Sequence, residues 1–448
     1  MSALSAALMQ VNLGMLGGGT VGSGVYHALQ QNGTLMSSRI GVNVQLRMVA
    51  VKAFDEPRPY EIPRSVMTLD WQSVVNDPEV HVIVELVGGT TIAKTMVLAA
   101  LKLGKPVITA NKALLSTHGE ELFAAAKKYG TNLYYEASVC GGIPIIKGLR
   151  EGFVGNRITH LYGIVNGTCN YILTRMKLEG ADFADVLADA QRLGYAETPP
   201  DLDIDGWDSQ HKIGILASLA HGFWVNPKDI HVEGIRHITA LDIKFADQLG
   251  YTIKLLGTVK MAPAKSGKAK NGTRAQVSVY PALVPNTHVL ANVNQVFNAV
   301  FVRGDVVGDT LFYGRGAGKD ATASAVLSDV ADAALDLKFS TKHRLPPFVP
   351  HERAGAVIPI DEAVSRYFVR LNVVDKPGVL AKISAILAKA KIGISSVIQP
   401  EGHEGASVPL ILMIHDAPNA AMRRALESIA KLPVVRGEPV MIRVENFD

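Results

Sequence analysis

Between Leu193 and Lys212 the chain reads LGYAETPPDLDIDGWDSQHK, which sets Glu197, Asp201, Asp203, Asp205 and Asp208 ahead of a single lysine, Lys212. Soluble proteins scatter acids among bases to limit self-repulsion. Such a cluster therefore suits a cationic ligand, a metal, or a lysine whose proton affinity is set by its neighbours. The segment DSQHKIGILASLAHGF has helical spacing, and Asp208 and Lys212 stand four residues apart in its first turn. That spacing puts the two side chains on one face, within reach of each other. The plainer alternative is a solvated acidic loop followed by an ordinary helical ion pair.

A second group of residues points to a nucleotide. Val11–Leu16 is a short apolar run that ends in Gly17-Gly18-Gly19-Thr20-Val21-Gly22, followed by a helical pattern for which Gly33 is a candidate stop. In a strand–turn–helix of this kind Gly17 permits the tight turn, and Gly19 lets the backbone approach a pyrophosphate. Gly22 allows close helix–strand packing. The N–H groups around Thr20 and Val21, with the positive end of the helix dipole, receive the phosphates.

The second strand, Gln45–Val51, leads to the place where an adenosine ribose sits. An NAD-selective site offers Asp or Glu there. This chain offers Lys52 and, a little later, Arg58, two bases suited to a 2′-phosphate, so the reading leans to NADP; Asp55 keeps NAD open. Both bases also read as plain surface charges.

These residues need elements to hold them. His81–Val87 before Gly88-Gly89, Pro106–Thr109 before Ala110-Asn111-Lys112, and Leu133–Glu136 repeat the alternation of strand and helix. The pattern predicts a doubly wound parallel sheet, a Rossmann-type α/β fold, whose ligands lie at the carboxyl ends of the strands. Glu85, Gly88, Gly89, Asn111 and Lys112 fall at those ends. Lys112 is a candidate residue on the nicotinamide side, or else a helix-start lysine with no chemistry.

Beyond Leu337 the chain turns richer in Pro, His and charge up to Arg366, as a connecting segment does. Tyr367–Val373 then alternates, a turn follows at Asp375-Lys376-Pro377-Gly378, and Val379, Ile383, Ile386 and Leu387 recur at helical spacing. Strands over Ile394–Gln399, Val408–His415 and Val440–Glu445, with a helix over Ala420–Lys431, complete a ferredoxin-like βαββαβ pattern.

At 448 residues, 48% apolar and 19% charged, the chain is a folded protein of two or three domains. A net charge of +4 does not argue for nucleic acid, and the basic run Lys260–Arg274 reads as a solvated hairpin loop. Cys140 and Cys169 make no disulfide framework or metal-ligand spacing and read as buried thiols. The histidines lack metal-site pairing, so metal catalysis has no support. MSALSAALMQ lacks a basic signal-peptide start, and no apolar run approaches membrane-spanning length, so the expectation is a soluble, cytoplasmic protein.

Taken together, GGGTVG, VELVGG, TANKALLS, EASVCGGIPII, NGTCNYILTRM, LGYAETPPDLDIDGWDSQHK and YGRGAGKDATASAV resemble the homoserine dehydrogenase family, in that family's order over roughly residues 11–335. The resemblance implies interconversion of L-homoserine and L-aspartate 4-semialdehyde with NAD(P), in threonine and methionine biosynthesis. It implies Lys212 as the proton-transfer residue with Asp208 beside it, and Glu197 and Asp203 as holders of the substrate amino group. It places Lys112 near nicotinamide and substrate. EASVCGGI resembles the family's monovalent-cation loop, implying Na⁺ or K⁺ held by Glu136, including its carboxylate, and by the backbone at Val139, Gly141 and Ile143. The turn Gly314–Gly318 resembles the segment that closes over the nicotinamide side. Family members often carry Arg-Asp after the second strand, where Lys52-Ala53 stand here.

The tail segment DKPGVLAKISAILAKAKIGISSV resembles an ACT domain, a module that binds amino acids at subunit interfaces; the expected ligand position is Asp375–Leu380 and the expected effector threonine. The implied domains are 1–145, completed by 310–336, for the dinucleotide; 146–309, an α+β unit for substrate and dimerisation; 337–366, a linker; and 367–448, the regulatory unit. A homodimer or homotetramer is expected. The competing readings are a dehydrogenase for another amino-acid aldehyde, and a non-catalytic sensor of nucleotide and amino acid. Lys112, Glu197, Asp208 and Lys212 occurring together argue against the sensor.

Overall fold

Strand β1 (Met9–Leu16) is buried on both faces from Val11 onward, with Val11, Leu13, Met15 and Leu16 in the core, as a central strand of a parallel sheet requires. In the computed structural model, which describes residues 8–262, 272–341, 344, 346–400 and 406–447, β1 pairs in parallel with β2 (Val42–Ala50) on one side. The sheet is completed by β3 (Met67–Thr68), β4 (Val82–Glu85), β5 (Val107–Thr109) and β6 (Leu133–Tyr134), in the order 3-2-1-4-5-6. The strand order reverses between β1 and β4, which makes the crevice above them the place for a ligand.

The helices Thr20–Ile40 and Lys319–Lys338 cover one face, packing Val25, Leu29, Ala323, Val326 and Val330 on Val11, Leu13 and Met15. Thr91–Lys102 and Lys112–Lys128 cover the other, through Val97, Leu101, Leu114 and Leu122.

Two details differ from the sequence reading. The first helix does not stop at Gly33; it runs to Ile40 and ends at Gly41, whose φ of 65° lets its N–H return to the Ser37 carbonyl. A glycine inside a helix costs about 1 kcal/mol, too little to end one whose neighbours pack on a sheet. And of 310–336, only the helix from Lys319 joins this sheet. Gly308–Arg315 is a strand of the second sheet.

That second sheet contains β7 (Ile158–Ile164), β8 (His231–Val232), β9 (Tyr251–Met261), β10 (Arg274–Pro285), β11 (Phe297–Gly304) and β12 (Gly308–Arg315), with the path 12-11-7-9-10. β9 and β10 pair antiparallel, Tyr251 opposite Pro285 and Met261 opposite Ala275. Most of the basic run expected to join them, 263–271, lies outside the described residues. Helix Trp207–His221 packs on this sheet, Ile213 lying against the backbone of Gly257.

The segment 337–366 laces the molecule together. Tyr135 donates its hydroxyl to the Pro347 carbonyl (2.6 Å), and Phe348 sits 5.5 Å from Trp224 and 5.8 Å from Phe123, ring centre to ring centre. The short β13 (Ala356–Val357) pairs with the start of β10.

Next come β14 (Val364–Val374), helix Val379–Lys389, β15 (Ile394–Ile398), β16 (Ser407–Pro418), helix Asn419–Ala430 and β17 (Val435–Val444). The order 17-14-16-15, all antiparallel, is the ferredoxin-like arrangement read from the sequence. The unit is not a separate bead, because the end of β17 pairs with β10, Arg443 opposite Ala282 and Val444 opposite Leu283. Among the described residues no helix is long and apolar enough to cross a membrane.

Candidate active site

Helix Trp207–His221 starts after Gly206, which takes φ 89° with Val232 and Val279 packed close against it. Asp208 in the first turn and Lys212 one turn later meet as the spacing requires, Lys212 Nζ to Asp208 Oδ2 at 2.7 Å. The lysine is only 8% exposed and also donates to the Val165 carbonyl at 2.7 Å. Lys112, first residue of its own helix, reaches the other Asp208 oxygen at 3.1 Å. Burial works against charge on both Asp208 and Lys212, but the Lys212 and Lys112 ammonium groups outweigh it and hold Asp208 well below the usual carboxylate range. For Lys212, burial is likewise outweighed, chiefly by Asp208, and its pKa is raised. The pair is an ammonium–carboxylate pair at neutral pH.

Asn166 organises the acids beside it. Its Nδ2 donates to Asp203 Oδ1 (2.8 Å) and Asp208 Oδ2 (2.9 Å), while its Oδ1 caps helix Gly167–Glu179 through the Cys169 N–H. Burial raises the Asp203 pKa, Asn166 opposes this, and the charges of Asp208 and Glu197 add to the rise. Glu197 is exposed on the adjoining loop. An arriving ammonium group would relieve this crowding of negative charge.

Asp201 and Asp205 do not belong to the cluster. Both are paired on the surface with Arg236, so the sequence's impression of five carboxylates facing one lysine is corrected to Asp203, Asp208 and Glu197. Asn166 opens the segment NGTCNYILTRM, and as a neutral amide it carries no charge signal that would mark it in the sequence.

At the other sheet, Gly17 takes φ 104° and a Cβ there would meet the Leu86 carbonyl at 2.7 Å; one at Gly22 would meet the Gly17 carbonyl at 2.2 Å. A Cβ at Gly19 would meet nothing, which leaves an open front at the N-terminus of helix Thr20–Ile40, where Thr20 and Val21 present their N–H groups. Gly88 lies beyond β4, and Gly318 precedes helix Lys319–Lys338, whose start packs on Gly24 of the Gly-rich helix.

Lys52 is exposed just past β2. Arg58 is a correction: its guanidinium donates to the carbonyls of Ala53 and Phe54, both at 3.2 Å, and so shapes its own loop instead of standing free for a phosphate. Arg64, which the sequence reading did not single out, lies over the Phe54 ring at 4.3 Å.

The loop around Glu136, Val139, Gly141 and Ile143 packs on the 314–318 turn, Gly142 N–H donating to the Arg315 carbonyl at 3.1 Å. The Glu136 side chain does not face the loop as a ligand. Its two oxygens accept the N–H groups of Ile146 (2.9 Å) and Lys147 (2.7 Å), so what remains to Glu136 is its main-chain carbonyl. A set of carbonyls suits a hard, weakly bound cation. Asn298 adds a buried side-chain oxygen without a hydrogen-bond partner beside Cys140 of this loop. Among the described residues no group of three His, Cys, Asp or Glu side chains is placed to hold a metal. Cys140 and Cys169 are buried free thiols; burial pushes Cys140 up to about 11, so it stays protonated and unreactive.

A Gly-rich strand–turn–helix on a parallel sheet, with a buried lysine–carboxylate pair reached from the end of that sheet's β5 by Lys112, defines a nicotinamide-dependent oxidoreductase. Residues 17–136 match the family model for the homoserine dehydrogenase NAD-binding domain, and residues 144–331 that for homoserine dehydrogenase. A homoserine dehydrogenase of Pseudomonas aeruginosa is 40% identical over 443 residues, 98% of this chain and 99% of that protein. The crystal structure of one from Thiobacillus denitrificans matches with a TM-score of 0.90 at 39% identity, covering 99% of this chain and all of that one. A hyperthermophilic archaeal homoserine dehydrogenase in complex with NADPH matches with a TM-score of 0.59 at 26% identity, over 73% of this chain and 98% of that one. The chain belongs to the homoserine dehydrogenase family, and its function is the oxidoreductase function of that family, in amino-acid biosynthesis.

Proposed function

We propose that the chain interconverts L-homoserine and L-aspartate 4-semialdehyde with Lys212 as the proton-transfer residue; the observation that carries this is the buried Lys212–Asp208 pair with Lys112 on its far oxygen. When bound, the nicotinamide supplies or accepts the hydride. Lys212, an ammonium group at neutral pH, protonates the oxygen that gains charge as the aldehyde is reduced, and takes the proton back in the reverse direction. Asp208 keeps it charged and, with the Val165 carbonyl, fixes its aim. Asp203 and Glu197 hold the substrate ammonium. Lys112 completes the site on the nicotinamide side.

NADP is the favoured cofactor, since the exposed Lys52 stands where a 2′-phosphate would lie and Ala53 stands in place of an acid. The Gly17–Gly22 turn with Thr20 and Val21, Gly88 and Gly318 border it. Main-chain oxygens of Glu136, Val139, Gly141 and Ile143 hold Na⁺ or K⁺. The C-terminal unit acts as an ACT domain that binds threonine at Asp375–Leu380, where Gly378 opens helix Val379–Lys389, in a cytoplasmic homodimer or homotetramer. The test is nicotinamide absorbance with L-homoserine, NADP and NAD separately, with and without L-threonine. Homoserine-dependent reduction assigns the substrate; a folded protein without turnover would refute the reading.

A further inference from the structure

One buried carboxylate lies outside the lysine pair and yet connects to it. Glu85 ends β4 and is fully buried. One oxygen accepts the N–H groups of Val87 (2.8 Å) and Gly88 (3.3 Å), and the other accepts the Thr109 hydroxyl at 2.6 Å. Thr109 ends β5, and its oxygen accepts the Asn111 N–H at 3.0 Å. Asn111 donates from Nδ2 to the Gly89 carbonyl (2.7 Å), and its Oδ1 caps, through Leu114 N–H, the helix whose first residue is Lys112. Lys112 then reaches Asp208. A line of hydrogen bonds therefore runs from Glu85 through Thr109 to Asn111, the cap of the helix whose first residue, Lys112, contacts the Asp208–Lys212 pair.

We propose that Glu85 is a positioning residue for the reaction: anchored by the Val87 and Gly88 amides, it fixes Thr109 and Asn111, and through them where Lys112 meets Asp208. A carboxylate is needed because every group around it donates. In a Glu85→Gln variant the side-chain amide would keep its oxygen on the two backbone N–H groups and turn its NH₂ toward Thr109, whose oxygen already accepts the Asn111 N–H. The threonine hydroxyl would then lose its acceptor. Gly88 (φ 80°) and Gly89 (φ 70°) turn the adjoining loop aside, and a Cβ on either would meet nothing, so the crevice in front stays open.

The inference rests on Lys112 and Asp208 belonging to the reacting site, and a double-mutant cycle separates the two claims. Glu85→Gln and Lys112→Ala are made singly and together, and kcat and KM for homoserine and NADP are measured alongside melting curves. The expected result is a fall in kcat of about 10²-fold for Glu85→Gln, a cooperative melt, and little further loss when it is added to Lys112→Ala. Thr109→Ser should keep activity and Thr109→Val should reproduce the loss; Thr109→Val takes the place of Glu85→Gln in the cycle if that variant does not fold. An unchanged kcat in Glu85→Gln, or an equal loss in both backgrounds, overturns the proposal alone. A fully active Lys112→Ala protein overturns the site reading with it.

Discussion

Lys212 combines burial with a single carboxylate partner, and its raised pKa assigns it a direction-dependent role. Reduction of the aldehyde needs the ammonium form, which is present through neutral pH; oxidation of the alcohol needs the amine, which forms only as pH climbs. The rate of homoserine oxidation is therefore expected to rise with pH well into the alkaline range, and that of aldehyde reduction to fall there, read from kcat–pH profiles in both directions. Lys212→Ala should lower kcat by about 10²- to 10⁴-fold while leaving nucleotide affinity, measured by quenching or calorimetry, unchanged. The Asp208–Lys212 pair was legible in the sequence because both partners lie on one helical turn. Asn166 was not, since its partners Asp203 and Asp208 come from two other helices, and nothing local announces the bridge.

At the scale of elements, Asn166 is also the cap of helix Gly167–Glu179. Asn166→Ala should cost about 1 kcal/mol of stability by denaturant unfolding and weaken homoserine binding, because Asp203 and Asp208 lose their shared donor. Strand β9 carries a second buried lysine, Lys254, 1% exposed and donating to the Val293 carbonyl (2.5 Å) and Asn170 Oδ1 (3.1 Å). Burial, helped by the charge of Lys177, pushes it down to about 7 from its ordinary 10.5. Between those values the unfolded chain binds a proton that the native chain does not, so this group makes stability rise with pH from about 7 upward. Lys254→Met should flatten that rise in melting temperature measured from about pH 7 to 10. Strand periodicity puts Lys254 on the polar face of β9 with Thr252, Thr258 and Lys260; only the packed structure reveals that this face is buried as well and that carbonyl oxygens surround the lysine.

For the whole molecule, the two sheets and the C-terminal unit are one assembly. The pairing of β10 with β17 is reinforced by Arg443–Glu233 (2.8 Å), Lys260–Glu445 (2.7 Å) and Arg370–Asp242 (2.5 Å), each joining the C-terminal unit to the middle of the chain. Asp242 is fully buried, so Arg370→Met, which leaves that carboxylate without its cation, should destabilise the protein by about 3 kcal/mol, visible as a lower melting temperature in a calorimetric scan. The sequence by itself determined the kinds of element, the Gly-rich turns, the βαββαβ order of the tail and the acid–lysine pair. Each of these is written in a period of two or 3.6 residues or in a short motif, and such signals survive in one dimension. Only the tertiary structure decided that Arg236 removes Asp201 and Asp205 from the site, that Arg58 and the Glu136 carboxylate serve nearby backbone groups, and that the tail's sheet continues the central one. Those outcomes depend on groups that compete for the same hydrogen bonds, some of them far apart along the chain, and that competition is resolved only once the chain has packed.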